Sequence, residues 1–166
     1  MIMCAAAIVG SGVYFCKVSR RYGQRMERLM CQTDFQVLLA ACRELSTRVT
    51  TKTLEPGYYW IHTDREPRVP DLPKIILDIE PVGLYVSSEG WVMREMGGIP
   101  SYGVVAYPGA SKAGHSFHGD VELIPGLWYY DEDYSTGEFP KHQKRIDALV
   151  QKGKMIQAQR NRSKDN

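Results

Sequence analysis

The stretch LYVSSEGWVMREM, Leu84 to Met96, decides the fold, because it predicts two short strands joined by a tight turn. Short runs of alternating side chains lie on both sides of Ser88-Glu89-Gly90, and a period of two is typical of a β-strand with one buried face. A glycine in the turn is the usual residue of a hairpin connection. The stretch therefore predicts an antiparallel β-hairpin.

Other strands are predicted on both sides of this hairpin. Aromatic and β-branched residues bounded by glycine and proline favour strands. The runs with this composition are GYYWIH at 57–62, GVVAY at 103–107 and GLWYY at 126–130, with VELI at 121–124 as a further candidate. KIILDI, after Pro73, suits a short helix or a strand equally. We expect a meander of four or five antiparallel strands.

Two helices are predicted around this sheet. Between 34 and 48 the apolar residues repeat at helical spacing, with Thr33 as the expected cap, which predicts one amphipathic helix against the sheet. Beyond Pro140 a basic helix carries a narrow apolar stripe, which Gly153 should weaken by about 1 kcal/mol, and residues 161–166 should fray. The stripe consists of Ile146, Leu149 and Val150.

The start of the chain predicts a membrane anchor. MIMCAAAIVGSGVYFC, residues 1–16, carries no charge and is followed by KVSRR. As a helix the run covers about 24 Å, and snorkelling by Lys17 lets it approach the ~30 Å of a bilayer core. The arginines behind it predict that the rest of the chain is cytoplasmic. A buried soluble helix and an uncleaved signal with an outward-facing domain are the alternatives.

The predicted class is thus α+β: an N-terminal transmembrane helix, an amphipathic helix on a small antiparallel β-meander, and a C-terminal basic helix. The expected segments are a transmembrane anchor at 1–19, a helical segment at 20–48, an antiparallel β-rich domain at 49–140 and a basic helix or tail at 141–166. A chain of 166 residues with 43% hydrophobic side chains can bury one core.

Charge is divided unevenly along the chain. Residues 1–52 have a net charge of +5, residues 53–140 of −9 and residues 141–166 of +6. An acidic middle between basic ends suggests that the ends meet an anionic partner or the middle itself. The tail has no aromatic residues to stack on bases, so anionic lipid is a better candidate than nucleic acid. The four cysteines, at positions 4, 16, 31 and 42, are expected to be unpaired.

Glycines and aromatic residues at the strand ends carry a resemblance. Leu72-Pro73, MGG at 96–98, GVVAY at 103–107 and GLWYY at 126–130 resemble uncharacterised small bacterial proteins with an N-terminal membrane helix and a short β-rich domain. The resemblance covers the region after residue 34. It implies an architecture, and it carries no catalytic residues to this chain.

Two candidate sites follow from the side chains. In GHSFHGD, His115, His118 and Asp120 have residue types that bind transition metals, with His62 and Asp64 as further contacts, but the flanking glycines make a polar loop the more common outcome. A second candidate is aromatic. Strand alternation predicts that Tyr58 and Trp60 share one face of their strand, and that Trp128 and Tyr130 likewise share one face of theirs, beside an exposed acidic turn at 131–133. Such rings can bind a peptide, a sugar or a basic segment of a partner, although packing in the core is the more common fate of aromatic residues.

The leading functional hypothesis is a membrane-anchored, non-enzymatic interaction protein without a cofactor, which binds lipid through its first helix and has a protein partner or forms a homodimer. Small-residue pairs in the first helix, at positions 6/10 and 7/11, are compatible with dimerisation. The alternative is a small metal-dependent hydrolase, with His115, His118 and Asp120 as ligands and Glu122 or Asp64 as base.

Overall fold

A computed structural model describes residues 23–61, 69, 71–90, 92–96, 101–109, 120–131 and 140–164, without the side chains of Met93, Glu95 and Lys164. In these residues the chain is mixed α+β. The helices are α1 (Phe35–Thr50), α2 (Lys74–Asp78) and α3 (Pro140–Lys164). The strands are β1 (Gly57–Trp60), β2 (Gly83–Val86), β3 (Val92–Glu95), β4 (Tyr102–Ala106), β5 (Val121–Ile124) and β6 (Leu127–Asp131).

All six strands form one antiparallel sheet in the order β1-β2-β3-β4-β6-β5. The predicted hairpin is confirmed as β2–β3, where Gly90 has φ 82° and its N–H donates to the Ser87 carbonyl at 3.1 Å. The expectation of a simple meander is wrong in one respect. The second strand of the last hairpin, β6, pairs with β4. The first strand, β5, pairs only with β6 and is therefore an edge strand.

The amphipathic helix is confirmed as α1, but its predicted cap is wrong. Asp34, not Thr33, caps it: one carboxylate oxygen accepts from the N–H groups of Gln36 and Val37 at 3.0 and 3.3 Å. Thr33 instead donates its backbone N–H to the Arg28 carbonyl, closing the previous helical turn. The apolar face of α1 is buried under the sheet. Its members are Phe35, Leu38, Leu39, Cys42 and Leu45.

The ambiguous KIILDI run forms the short helix α2 followed by a sharp exit. Pro73 precedes α2 and Ile76 is its fully buried residue. The chain leaves α2 through Glu80, whose φ is 51° and whose N–H donates to the Leu77 carbonyl at 2.9 Å. Glycine usually occupies such a left-handed position after a helix. A glutamate there is a strained choice that costs about 1–2 kcal/mol.

A helix at residues 23–32, which we call the junction helix, leads into α1. Residues 23–27 are α-helical and Arg28–Gln32 form a π-helical turn. Met26, Leu29 and Met30 are fully buried. The junction helix is therefore part of the core, because each such side chain removed from water contributes about 1.5–3 kcal/mol.

The C-terminal helix α3 packs against the junction helix in a parallel direction. Arg145 of α3 lies at Gly23, Lys152 pairs with Glu27 at 3.5 Å, and Gly153 meets Met30. Further along, the Gln157 amide accepts from Phe35 N–H at 3.2 Å and donates to the Thr33 carbonyl at 2.7 Å. Residue numbers thus rise together on both helices.

Gly153 has a role that the sequence analysis misjudged. A Cβ at this position would stand 2.5 Å from the Met30 carbonyl oxygen, so only glycine lets the two backbones approach so closely. The helix continues through Gly153 to Lys164, so residues 161–164, which were expected to fray, are helical. The predicted apolar stripe is confirmed, with Ile146 and Val150 buried and Leu149 partly buried.

The sequence analysis expected a membrane helix at the start of the chain and four unpaired cysteines. No helix in the described part of the chain is long and apolar enough to cross a membrane. The uncharged run 1–16 lies outside the described residues, as do Cys4 and Cys16. Cys31 and Cys42 are both free thiols, as expected.

We predict that Gly153→Ala destabilises the protein by about 1–3 kcal/mol, although alanine favours a helix interior. The added methyl group must push the Met30 backbone away, and a backbone contact cannot yield as a flexible side chain can. Urea denaturation followed by circular dichroism measures the loss. Gly109→Ala is the matched control, because no atom lies within 4 Å of a Cβ there. Equal stability of the two variants would contradict the close contact.

Candidate functional site

A cleft of about 320 Å³ opens beside the junction helix. Among the described residues, its lining consists of Gln24, Arg25, Arg28 and Glu80. The first three share one side of the junction helix, since positions three and four apart lie on the same face, whereas Met26 points into the core. The cleft is therefore built on a rigid support, and its lining is polar and mainly cationic.

The strained residue Glu80 brings a carboxylate into this cleft. Its Oε1 lies 2.6 Å from Nη1 of Arg28, which also reaches the Asp78 carbonyl at 3.5 Å. The two side chains are 52% and 37% exposed, so the ion pair contributes only about 0–1 kcal/mol. This gain is no larger than the strain of the left-handed backbone. Residues held in strained conformations cluster at functional sites, which makes Glu80 a candidate.

Arg25 connects the cleft to the end of the sheet. Its Nη1 donates to the Met96 carbonyl at 2.9 Å, immediately after β3. Burial raises the pKa of Tyr102, the first residue of β4, and the nearby Asp131 adds to the rise, while the charge and hydrogen bond of Arg25 oppose it. Arg25 is thus placed between the cleft and a buried group of polar side chains.

That group centres on Asp131, the last residue of β6, which is almost fully buried. The Tyr129 hydroxyl donates a short hydrogen bond to Asp131 Oδ2. His142 Nε2, in the first turn of α3, lies 3.0 Å from the same oxygen. The backbone N–H of Asp131 donates to Asp120 Oδ2 at 2.7 Å. The group joins α3 to the sheet, and it corrects the expectation that Asp131 belongs to an acidic surface turn.

The chemistry open to Asp131 and His142 is that of a proton acceptor held in place. An aspartate that orients a histidine is half of the arrangement that activates a nucleophile in many hydrolases. A hydroxyl or thiol against the imidazole would be needed to complete it. In the described residues the pair serves to fasten the start of α3 to the end of β6.

A second buried charge lies under α1. Arg94 of β3 is fully buried, and its Nη2 donates to the Ile76 carbonyl at 2.9 Å. Within the described part of the chain its Nε and Nη1 have no acceptor. Burial lowers the pKa of Arg94 to about 10, opposed by the neighbouring Cys42, and burial raises the pKa of the Cys42 thiol, opposed by Arg94. Because neither group reaches the surface, Arg94 has no direct access to a substrate.

The predicted aromatic residues share one face of the sheet, opposite the helices. Cross-strand pairing places Tyr58 in one row with Trp128, and Trp60 in the next row with Tyr130. Tyr58 and Trp60 form an edge-to-face pair with ring centroids 5.1 Å apart. Three strands separate β1 from β6, so the two pairs stand roughly 19 Å apart.

The four rings are covered to different extents. Tyr130 is buried, and the other three rings are partly buried. Two glycines allow tyrosine rings to lie flat on the sheet. The Tyr58 ring covers Gly83, and the Tyr130 ring lies against Gly103. The aromatic residues therefore cover the sheet itself, and only the Tyr58–Trp60 pair stands on an edge strand.

Of the predicted metal ligands, only Asp120 lies among the described residues. His115, His118, His62 and Asp64 lie outside the described residues, and the described Asp120 uses Oδ2 to accept from the Asp131 backbone. No group of three or more potential ligands assembles in the part of the chain that the structure describes. A metal site at His115, His118 and Asp120 stays a prediction.

Comparison with known proteins gives no relative: no family model, curated protein or solved structure matches this chain.

Sequence reasoning did not find the arginine cleft. Arg25 and Glu80 lie 55 positions apart along the chain, on separate elements. In addition, arginines that follow an apolar run are ordinarily interpreted as a signal of membrane topology. A usable signal was Glu80-Pro81 directly after a short helix. Proline soon after a helix marks its end, where glycine is the preferred preceding residue and glutamate is not.

We predict that Arg94→Met leaves the free energy of unfolding unchanged or raises it by up to about 4 kcal/mol. Methionine fills a similar volume, and it removes buried N–H groups that have no acceptor. Arg94→Ala should instead lose about 2–5 kcal/mol, because it leaves a cavity. Urea denaturation of both variants measures the difference. A methionine variant that is as unstable as the alanine variant would show that the guanidinium itself holds α2 to the sheet.

Proposed function

We propose that this protein is a single-pass, membrane-anchored, non-enzymatic interaction protein whose folded part lies on the cytoplasmic side. The uncharged run at 1–16 supports the anchor, and the basic residues that follow it support the orientation. The function of such a protein is to hold a folded surface at a fixed place on a membrane.

The observation that carries this proposal is the burial of the junction helix. Gly23 of the junction helix lies six residues after Lys17, and the side chains of Met26, Leu29 and Met30 belong to the core. A loose linker would let the domain tumble beneath its anchor. A junction helix fixed between α3 and the sheet favours one orientation, with the Gly23 end of the domain toward the lipid.

The parallel packing of α3 then changes which basic residues can contact headgroups. The exposed Lys141, Lys144 and Arg145 lie at the Gly23 end. Arg160 lies about 22 Å further along the helix, well beyond a Debye length of ~8 Å at physiological ionic strength. Arg160 also donates to the carbonyls of Cys31, Gln32 and Thr33, which gives it a capping role. Lipid contact therefore belongs to the first turns of α3, not to the tail end.

The proposed partner surface is the edge strand β1. The Tyr58–Trp60 pair on edge strand β1 offers an aromatic contact, and an edge strand can accept a further strand through its backbone. We propose this edge as the contact for a protein partner or for a second copy of the chain.

The lipid-facing end is tested by amine labelling of the full chain in nanodiscs. We predict that adding phosphatidylglycerol to phosphatidylcholine nanodiscs lowers the labelling of Lys141 and Lys144 several-fold, because each basic group near an anionic surface gains about 1 kcal/mol. Mass spectrometry of the labelled peptides measures the change. Lys154, further along α3, is the internal control that should label equally in both lipids.

Two results would contradict the proposal. Protection of Lys154 instead of Lys141 would reverse the orientation of the domain. Release of the full-length protein from cell membranes by ordinary salt, without detergent, would remove the anchor.

A further inference from the structure

The arginine cleft has the features of a small binding site. Its volume of about 320 Å³ is at the lower end of the ~300–1,000 Å³ range of small-molecule pockets, so it fits a headgroup-sized ligand better than a large cofactor. In the described residues, its lining includes two guanidinium groups, one amide and one carboxylate. This combination of charges favours a ligand that carries both signs.

The cationic half of the cleft is suited to phosphate. Arg25 and Arg28 are three residues apart on one helix face, so both guanidinium groups can address the same anion. Both contacts of Arg28 use Nη1, and in the described residues its Nε and Nη2 have no acceptor. Guanidinium forks match the paired oxygens of a phosphate group, and Gln24 adds a neutral donor.

The anionic half of the cleft is Glu80. Glu80 takes a left-handed position at the end of α2 and forms an exposed ion pair with Arg28. A carboxylate beside a phosphate subsite would repel a simple anion, yet it would accept hydrogen bonds from a primary ammonium group on the same ligand. Phosphoethanolamine joins these two groups through two carbons.

We propose that the cleft binds phosphoethanolamine, with the phosphate on Arg25 and Arg28 and the ammonium group on Glu80. Soluble phosphoethanolamine and the headgroup of phosphatidylethanolamine share this chemistry. The lipid is the source we infer, and that part rests on the proposed function, in which the Gly23 end of the domain faces the bilayer.

Calorimetric titration of the full chain in detergent tests the site. O-phosphoethanolamine should bind at least about tenfold more tightly than O-phosphocholine, whose quaternary nitrogen has no N–H to donate. Glu80→Gln should abolish that preference, and Arg28→Gln should weaken both ligands about tenfold or more. Arg162→Gln and Glu44→Gln, exposed charges on α3 and α1, are the matched controls and should bind as the unmodified protein does.

Several outcomes overturn the proposal. No binding of O-phosphoethanolamine, equal affinity for the two ligands, or an Arg162→Gln loss as large as that of Arg28→Gln would each refute the site. Glu80→Gly guards against a folding artefact, because it relieves the left-handed strain. This variant should melt no lower than Glu80→Gln and still lose the preference.

A second arm separates the lipid from the soluble ligand. In nanodiscs, phosphatidylethanolamine should raise the melting temperature of the unmodified chain but not of Glu80→Gln. Binding of soluble ligand without this rise would overturn the lipid source and leave the site standing. Binding by a chain that salt releases from membranes would refute the anchor alone.

Discussion

The backbone contact between Gly153 and the Met30 carbonyl is the constraint on which the arrangement of this protein depends. It lets α3 lie directly on the junction helix, and it places the polar side chains of the next turns, Gln157 and Arg160, against the carbonyl groups where that helix ends. Those contacts fix the start of α1, whose first N–H is accepted by Gln157. The close approach of α3 to the junction helix at Gly153 therefore fixes the positions of the cleft and of the start of α1 relative to each other.

Local physics explains which parts of the fold could be predicted from the sequence. The hairpin at Gly90 and the apolar face of α1 depend on spacing within one element, and both are present as expected. The insertion of β6 beside β4 depends on pairing between distant strands, which no local pattern encodes. Thr33 and Asp34 are adjacent, and both residue types are common helix caps. The π-helical turn that ends at Thr33 leaves Asp34 at the capping position.

The site was harder to predict than the fold for a related reason. Tyr58, Trp60, Trp128 and Tyr130 were correctly expected to alternate with their neighbours, but not to cover glycines on adjacent strands. Arg25 and Arg28 have no local signature, because a cleft is made by elements that meet only after folding, and Glu80-Pro81 marks only the end of α2. Asp131 was expected in an acidic turn. Its burial is accompanied by hydrogen bonds to Tyr129, two residues away, and His142, eleven residues away, and no local pattern indicates that these residues meet.

The packing of α3 on the junction helix shows how the charged residues of the three segments are arranged. In the described residues, Glu80 of the acidic middle pairs with Arg28 of the junction helix, and Lys152 of α3 pairs with Glu27 of the junction helix. Lys141, Lys144 and Arg145 are exposed at the start of α3. A cationic end beside an uncharged run suits an anionic surface, and a carboxylate within that end opposes indiscriminate attraction to anions. Under the proposed headgroup binding, Glu80 would add a preference for a ligand with an ammonium group to the attraction that the basic residues exert on anions.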